Sequence, residues 1–91
     1  MTWRVRHTRV FYKELARIPE KTRKQIEAFA FNKSLEIDPF ASGKVEKLAG
    51  YDQYYKVRFG QYRIGLRIDK AERIMEFRRV RPRQDIYQKF P

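Results

Sequence analysis

Tyr54-Tyr55-Lys56-Val57-Arg58-Phe59-Gly60-Gln61-Tyr62-Arg63-Ile64-Gly65-Leu66-Arg67-Ile68 reads as a β-hairpin with one apolar and one cationic face. Tyr55, Val57 and Phe59 alternate with Lys56 and Arg58, and past the turn Tyr62, Ile64, Leu66 and Ile68 alternate with Arg63, Gly65 and Arg67. A period of two belongs to a half-buried strand, whose successive side chains point to opposite faces. Gly60-Gln61 separates the runs by two residues with glycine first, the pattern of a tight II′ turn. The stretch predicts a sheet with one face on a core and the other bearing Lys56, Arg58, Arg63 and Arg67.

Outward from the hairpin, Asp69 to Arg73 makes a looser turn into a further strand over about Ile74 to Val80. Pro82 lacks the N–H needed for central pairing and should end it. Upstream, Ala41 to Asp52, with Gly43 and Gly50, reads as connector in which Val45 to Leu48 can pair briefly with a neighbour. A helix is predicted from about Glu20 to Ile37, with Ile26, Phe29, Ala30 and Ile37 on one side, Phe31 and Leu35 beside them, and Asp38-Pro39 as its stop. Before it, Phe11, Leu15 and Ile18 fall at i, i+4 and i+7 behind a capping Thr8, and Pro19 divides the two helices. Residues 2–6 alternate Trp3 and Val5 with Arg4 and Arg6, which suits a short first strand. The order strand, helix, helix, three strands predicts an α+β fold: an N-terminal strand and helical hairpin packed on a small antiparallel β-sheet. Residues 1–91 are expected to form a single domain, since a chain this short buries only roughly 60% of its unfolded surface.

Charge is the strongest compositional signal, with 22 Lys and Arg against 11 Asp and Glu giving +11. It is uneven: residues 54–91 carry +7 and residues 1–53 carry +4, so the C-terminal half should hold the functional surface. A polyanionic partner is the natural counterpart of such a balance. Several chemistries are excluded. There is no cysteine, hence no thiolate nucleophile, disulfide or cysteine-built zinc site, and His7 is the sole histidine, so a two-histidine ribonuclease cannot be assembled. His7 itself is expected at the surface. No phosphate-cradling glycine loop or clustered metal ligands appear, so neither a metal nor another cofactor is expected. The chain turns polar at once after Met1 and has no apolar run of membrane-spanning length, which with the missing cysteines points to a soluble protein of a reducing cytoplasm.

The constellation left is Lys56, Arg58 and Arg63 together with Arg81, Arg83 and Tyr87. Alternating cations on strands are ordinarily a solvated face. Here they lack an intervening acid from Tyr54 to Ile68, and Tyr54, Tyr55, Tyr62 and Tyr87 interleave with them. Phosphate-binding cations interleaved with aromatic rings suit RNA, whose splayed bases stack on such rings. Parity assigns Tyr55 and Tyr62 to the core. Tyr54, Arg67 and Arg79 are the candidates for flanking RNA contacts, and Gly65 leaves room either for a nucleotide or for packing.

Lys47-Leu48-Ala49-Gly50, Tyr54-Tyr55-Lys56-Val57-Arg58, Gly60-Gln61-Tyr62-Arg63-Ile64 and Val80-Arg81-Pro82-Arg83-Gln84-Asp85-Ile86-Tyr87 occur in that order. They resemble the K-L-x-G, Y-(K/R)-(I/V)-(K/R), (G/D)-x-Y-R-(I/V/L) and closing V-G-H-R-x-D-V-Y segments of the RelE/ParE toxin superfamily, over nearly the whole chain. The resemblance implies the toxin of a type II toxin–antitoxin pair, a metal-independent endoribonuclease that cuts mRNA in the ribosomal A site. It also implies an acidic or amphipathic antitoxin that neutralises the toxin and through which the complex can bind operator DNA. By motif position the catalytic roles fall on Lys56, Arg58, Arg63, Arg81 or Arg83, and Tyr87. Tyr87 or Lys56 would be the base, Arg63 and Arg81 the phosphate clamps, and Arg58 or Arg83 the leaving-group or positioning partner. The chain departs from many relatives in having Arg81-Pro82 where they have Gly-His. Two alternatives share the features: a ParE-type poison of DNA gyrase on the same fold, and a non-catalytic RNA- or ribosome-binding module.

Overall fold

The computed structural model describes residues 2–91. Strand β1 (Arg4–His7) leads into helix α1 (Arg9–Leu15), whose first turn is closed by Thr8, its Oγ1 accepting from the Phe11 N–H at 3.1 Å. Helix α2 (Glu20–Ala30) starts immediately after Pro19. It ends seven residues short of the predicted Ile37. Asn32 leaves the helical region and its side chain accepts from the Ser34 N–H, so a separate 3₁₀ turn runs Lys33–Glu36. Asparagine favours such caps because its amide competes with the helical hydrogen bond. Leu35 is buried as expected, but Phe31 is 45% and Ile37 77% exposed, so neither extends the core stripe.

Short β2 (Glu46–Lys47) does pair within the predicted Val45–Leu48 segment, against β3 (Tyr54–Phe59). Strand β3 turns through Gly60, at φ 57°, into β4 (Tyr62–Asp69), which pairs with β5 (Ile74–Pro82). The positive φ at the first turn position and not the second is that of the expected II′ turn. The sheet order is β1-β5-β4-β3-β2. It is mixed rather than wholly antiparallel, because β1 lies parallel to β5, from Arg4 opposite Ile74 to His7 opposite Phe77. Strand β5 runs on through Pro82, where β1 no longer flanks it and a missing N–H costs no ladder bond.

Helices and sheet enclose one core of Phe11, Leu15, Ile18, Ile26 and Ala30 against Val57, Ile64, Leu66, Ile68, Met75, Phe77 and Val80. Each of these side chains larger than alanine contributes about 1.5–3 kcal/mol by leaving water. Tyr55 and Tyr62 pack there too, as parity predicts. A smaller cluster of Leu48, Ile86 and Phe90, with Tyr54 against it, lies apart. It docks the terminal helix α3 (Ile86–Lys89) on the sheet, with the Phe90 ring over Gly65. Gly65 therefore makes room for packing rather than for a nucleotide. A Cβ there would stand 2.8 Å from the Phe90 ring. Gly65→Ala should push Phe90 off the sheet and destabilise the fold by about 1–3 kcal/mol, the usual cost of overpacking. Thermal unfolding with hydrogen exchange checks this: the Phe90 amide, bonded to the Ile86 carbonyl at 2.8 Å, should lose protection while the β3–β4 ladder keeps it. An unchanged Phe90 amide would contradict the packing assignment.

Candidate active site

Three rungs cross the outer sheet face. Arg58, Arg63 and Arg81 are successive cross-strand partners on β3, β4 and β5; the next outward rung is Lys56, Gly65 and Arg79, and the third is Tyr54, Arg67 and Glu76. A β-bulge makes this possible. Leu66 is opposite Phe77 but Gly65 is opposite Arg79, leaving Arg78 as the extra residue. Unbroken alternation from Met75 and Phe77 would have sent Arg79 and Arg81 toward the core. The bulge reverses parity, burying Val80 and bringing Arg79 and Arg81 to the face of Lys56, Arg58 and Arg63.

Each arginine of the first rung rests on a partner. Arg58 Nε is 3.4 Å from Glu46 on β2, while Arg63 Nη1 folds onto the carbonyls of Gly60 (2.7 Å) and Tyr62 (2.8 Å). Arg81 donates to Glu14 at 2.8 Å and to both oxygens of Asp85 at 3.2 Å. The acid-free face read from Tyr54 to Ile68 is thus supplied with acids from outside that stretch. Lys56 Nζ lies 5.8 Å from the centre of the Tyr87 ring, which α3 carries half-exposed over the same face. The two candidates for the base are neighbours. Arg83 is exposed, anchored by its backbone N–H to the Gln61 carbonyl at 2.7 Å, and among the described residues its guanidinium has no partner.

The remaining expected RNA contacts are less free. Tyr54 is half-buried and edge-on to Phe90 at 5.4 Å, and Arg79 is committed to Glu14 at 2.6 Å and to the Lys89 carbonyl. Arg67 pairs with Asp69 at 3.8 Å and stands four residues from Arg63 along β4, about 13 Å at 3.3 Å per residue. It therefore stands apart from the first rung. His7, expected at the surface, is partly buried, with Nε2 at 2.8 Å from the Ala30 carbonyl and its ring stacked on Phe77. It has a structural role. Among the described residues no group of three or more His, Cys, Asp or Glu could hold a metal, and no helix is long and apolar enough to cross a membrane.

Glu14 was not singled out in the sequence, yet it is the one buried charged side chain among the described residues. Its carboxylate accepts from Arg79, Arg81 and the Val80 N–H, and so ties α1 to β5. Burial by itself would raise the Glu14 pKa, but the hydrogen bonds from Arg79, Arg81 and Val80 outweigh it and hold the group below its ordinary range. Hydrogen bonds to Glu14 and then Asp85 raise that of Arg81. Both ions are therefore secure near neutrality. A signal was present: Glu14 falls at i+3 from Phe11, on the buried stripe itself.

Residues 5–87 match the family model described as the ParE toxin of the type II toxin–antitoxin system parDE. The chain is 33% identical to Toxin RelE3 of Methanocaldococcus jannaschii, over 97% of this chain and 99% of that protein. It is similar in structure to the toxin–antitoxin complex RelBE2 of Mycobacterium tuberculosis, with TM-score 0.70 and 25% identity over 91% of this chain and all of the matched one. The archaeal RelE–RelB complex of Pyrococcus horikoshii matches with TM-score 0.70 and 26% identity, over 91% of this chain and 97% of that one. A family model and a relative that each span almost the entire chain, on the fold its residues predict, place this protein in the RelE/ParE superfamily of type II toxins.

Proposed function

We propose that this toxin is a metal-independent endoribonuclease that cuts mRNA, with the ribosomal A site as its place of action in the cytoplasm. The observation that carries the reading is the rung Arg58–Arg63–Arg81 with Lys56 and Tyr87 beside it. Three guanidinium groups anchored on adjacent strands can close on one phosphate from three sides. The ribose 2′-oxygen attacks the adjacent phosphorus in line, the bond from phosphorus to the 5′-oxygen breaks, and the products are a 2′,3′-cyclic phosphate and a 5′-hydroxyl. Tyr87 or Lys56 takes the 2′-hydroxyl proton, and the other group can return one to the departing 5′-oxygen. Arg63 and Arg81 stabilise the charge growing on the phosphorane oxygens. Arg58 and Arg83 position the strand or the leaving group, and Tyr54, Arg67 and Arg79 lie along its flanks.

A second reading is the ParE-type one, poisoning of DNA gyrase, kept because the matching family model is described as a ParE toxin. It requires no proton-transfer pair beside a phosphate site, so loss of Tyr87 chemistry would leave it intact. In either case an antitoxin is expected to silence the protein and to carry the complex to operator DNA. The groove between α1 and α2, floored by Leu15 and Ala16 and edged by the stacked, half-exposed rings of Tyr12 and Phe31, is a suitable seat for the apolar side of an amphipathic antitoxin segment. Acidic residues of the same antitoxin would meet the basic face.

Tyr87→Phe keeps the ring and removes the exchangeable proton. Single-turnover cleavage on programmed ribosomes should fall by about 10²–10⁴, the usual contribution of general acid–base catalysis, with affinity unchanged. Near-parental cleavage would move proton transfer to Lys56 alone. Arg63→Ala should lower the cleavage rate by about 10²–10³, as for loss of one group aimed at a developing oxyanion. Its effect on ribosome affinity should be far smaller, since one cation among many is lost. Equal losses in rate and affinity would reduce Arg63 to a docking contact, and inhibition of gyrase supercoiling without RNA cleavage would replace the reading.

A further inference from the structure

Arg81 belongs to the first cationic rung, yet two carboxylates from different parts of the chain grip its guanidinium. Its Nη1 donates to Glu14 Oε2 at 2.8 Å, and its Nε and Nη2 donate to Asp85 Oδ1 and Oδ2, each at 3.2 Å. An arginine offers five N–H groups in a rigid planar fork. Three are used here, which leaves two for a phosphate. Glu14 cannot drift, because it is buried and also accepts from Arg79 and from the Val80 N–H of the strand that carries Arg81.

We infer that Glu14 and Asp85 are a pair of positioning residues that hold Arg81 as a phosphate clamp, an inference that rests on the ribonuclease reading above. Glu14, shared with Arg79, and Asp85 together offset the charges of the two arginines, so Arg81 adds little to ground-state affinity. Its direction is fixed, so its remaining N–H groups act when charge grows on the phosphorane oxygens. The pair thereby separates binding from chemistry. Removing one carboxylate charge makes the face more cationic and frees the guanidinium to swing, so the rate should fall with no loss of affinity. A carboxylate with only a structural role would lower stability and leave the rate of the folded protein alone.

The test uses Glu14→Gln and Asp85→Asn in the full chain, with affinity for programmed ribosomes and single-turnover cleavage measured separately. Glu14→Gln keeps an oxygen for the Val80 N–H, and Asp85 is a third exposed, so its variant serves if the first does not fold. Cleavage should fall about 10–100-fold, the usual cost of losing a group that orients a functional one, while affinity stays level or tightens. Adding Glu14→Gln to Arg81→Ala should change the rate no further, since coupled residues are non-additive. An unchanged rate, weakened affinity in step with rate, or a full additional loss in the Arg81→Ala background would each overturn the inference. In parallel, the Arg81 Nε–H resonance in ¹⁵N NMR should exchange slowly in the parent and fast in Asp85→Asn, with a shifted position in Glu14→Gln. This measurement is independent of cleavage. If the parent cuts no RNA, the ribonuclease reading fails by itself, and an Nε–H unaffected by either substitution would separately show that the carboxylates do not hold Arg81.

Discussion

Glu14 meets β5 where β1 has ended and the strand would otherwise present an unpaired edge. One carboxylate oxygen takes the Val80 N–H, and the two oxygens together take Arg79 and Arg81. Removing the cations from a buried carboxylate costs about 3–5 kcal/mol, a large part of the net stability of a small fold. The same contact fixes how α1 sits on the sheet and which way the last strand turns its arginines. Fold stability and site geometry therefore share an atom-level cause. The bulge at Arg78 is its necessary companion, because only the reversed parity puts Val80 into the core and its arginine neighbours on the outer face.

A face dense in arginine would repel itself if each guanidinium pointed straight out. It does not, because every arginine of the first rung rests on an acceptor: Glu46, the carbonyls of the β3–β4 turn, or the Glu14–Asp85 pair. Directly opposed like charges on a ladder are destabilising, and these local acceptors offset the cost. The rests differ in strength. The Arg58–Glu46 pair is largely exposed and contributes little, so a phosphate can compete for Arg58 easily. Arg81 is held far more firmly. The face thus combines cations that are free to reorganise with one whose direction is set in advance. The docking of Phe90 over Gly65 adds the remaining element, since it is what places α3, and with it Tyr87, above Lys56.

The hairpin was legible because its alternation and its Gly60-Gln61 turn agree, and the outer placement of Lys56, Arg58, Arg63 and Arg67 follows from parity alone. The caps at Thr8 and Pro19 and the stripe of Phe11, Leu15 and Ile18 were legible for the same reason: local chemistry and burial point one way. The end of α2 was misread because apolar residues continue past Ala30, and periodicity hides the break that Asn32 makes. Ile37 looked like core and is solvent-exposed. The parallel seat of β1 beside β5 is a long-range pairing with no sequence mark. The bulge left only a faint one, two consecutive arginines interrupting the alternation after Phe77. Glu14 was the missed opportunity: an acid on a buried helical stripe, in a chain with +11 net charge, calls for cationic partners. Charge and aromatic content marked Arg81, Arg83 and Tyr87 as candidates, but their individual roles came only through resemblance, because these residues reach the site by a bulge and a terminal helix rather than by any regular period.

In the proposed reaction this cationic face cuts RNA with the RNA's own 2′-hydroxyl as nucleophile. The most direct measurement analyses the ends left on a defined mRNA bound to programmed ribosomes, beside an identical mRNA with a single 2′-deoxy nucleotide at the cut position. A 2′,3′-cyclic phosphate and a 5′-hydroxyl are expected from the first, and the second should stay intact. Cutting of the deoxy-substituted mRNA at the same position, or a 3′-hydroxyl and a 5′-phosphate from the unsubstituted one, would contradict that reaction.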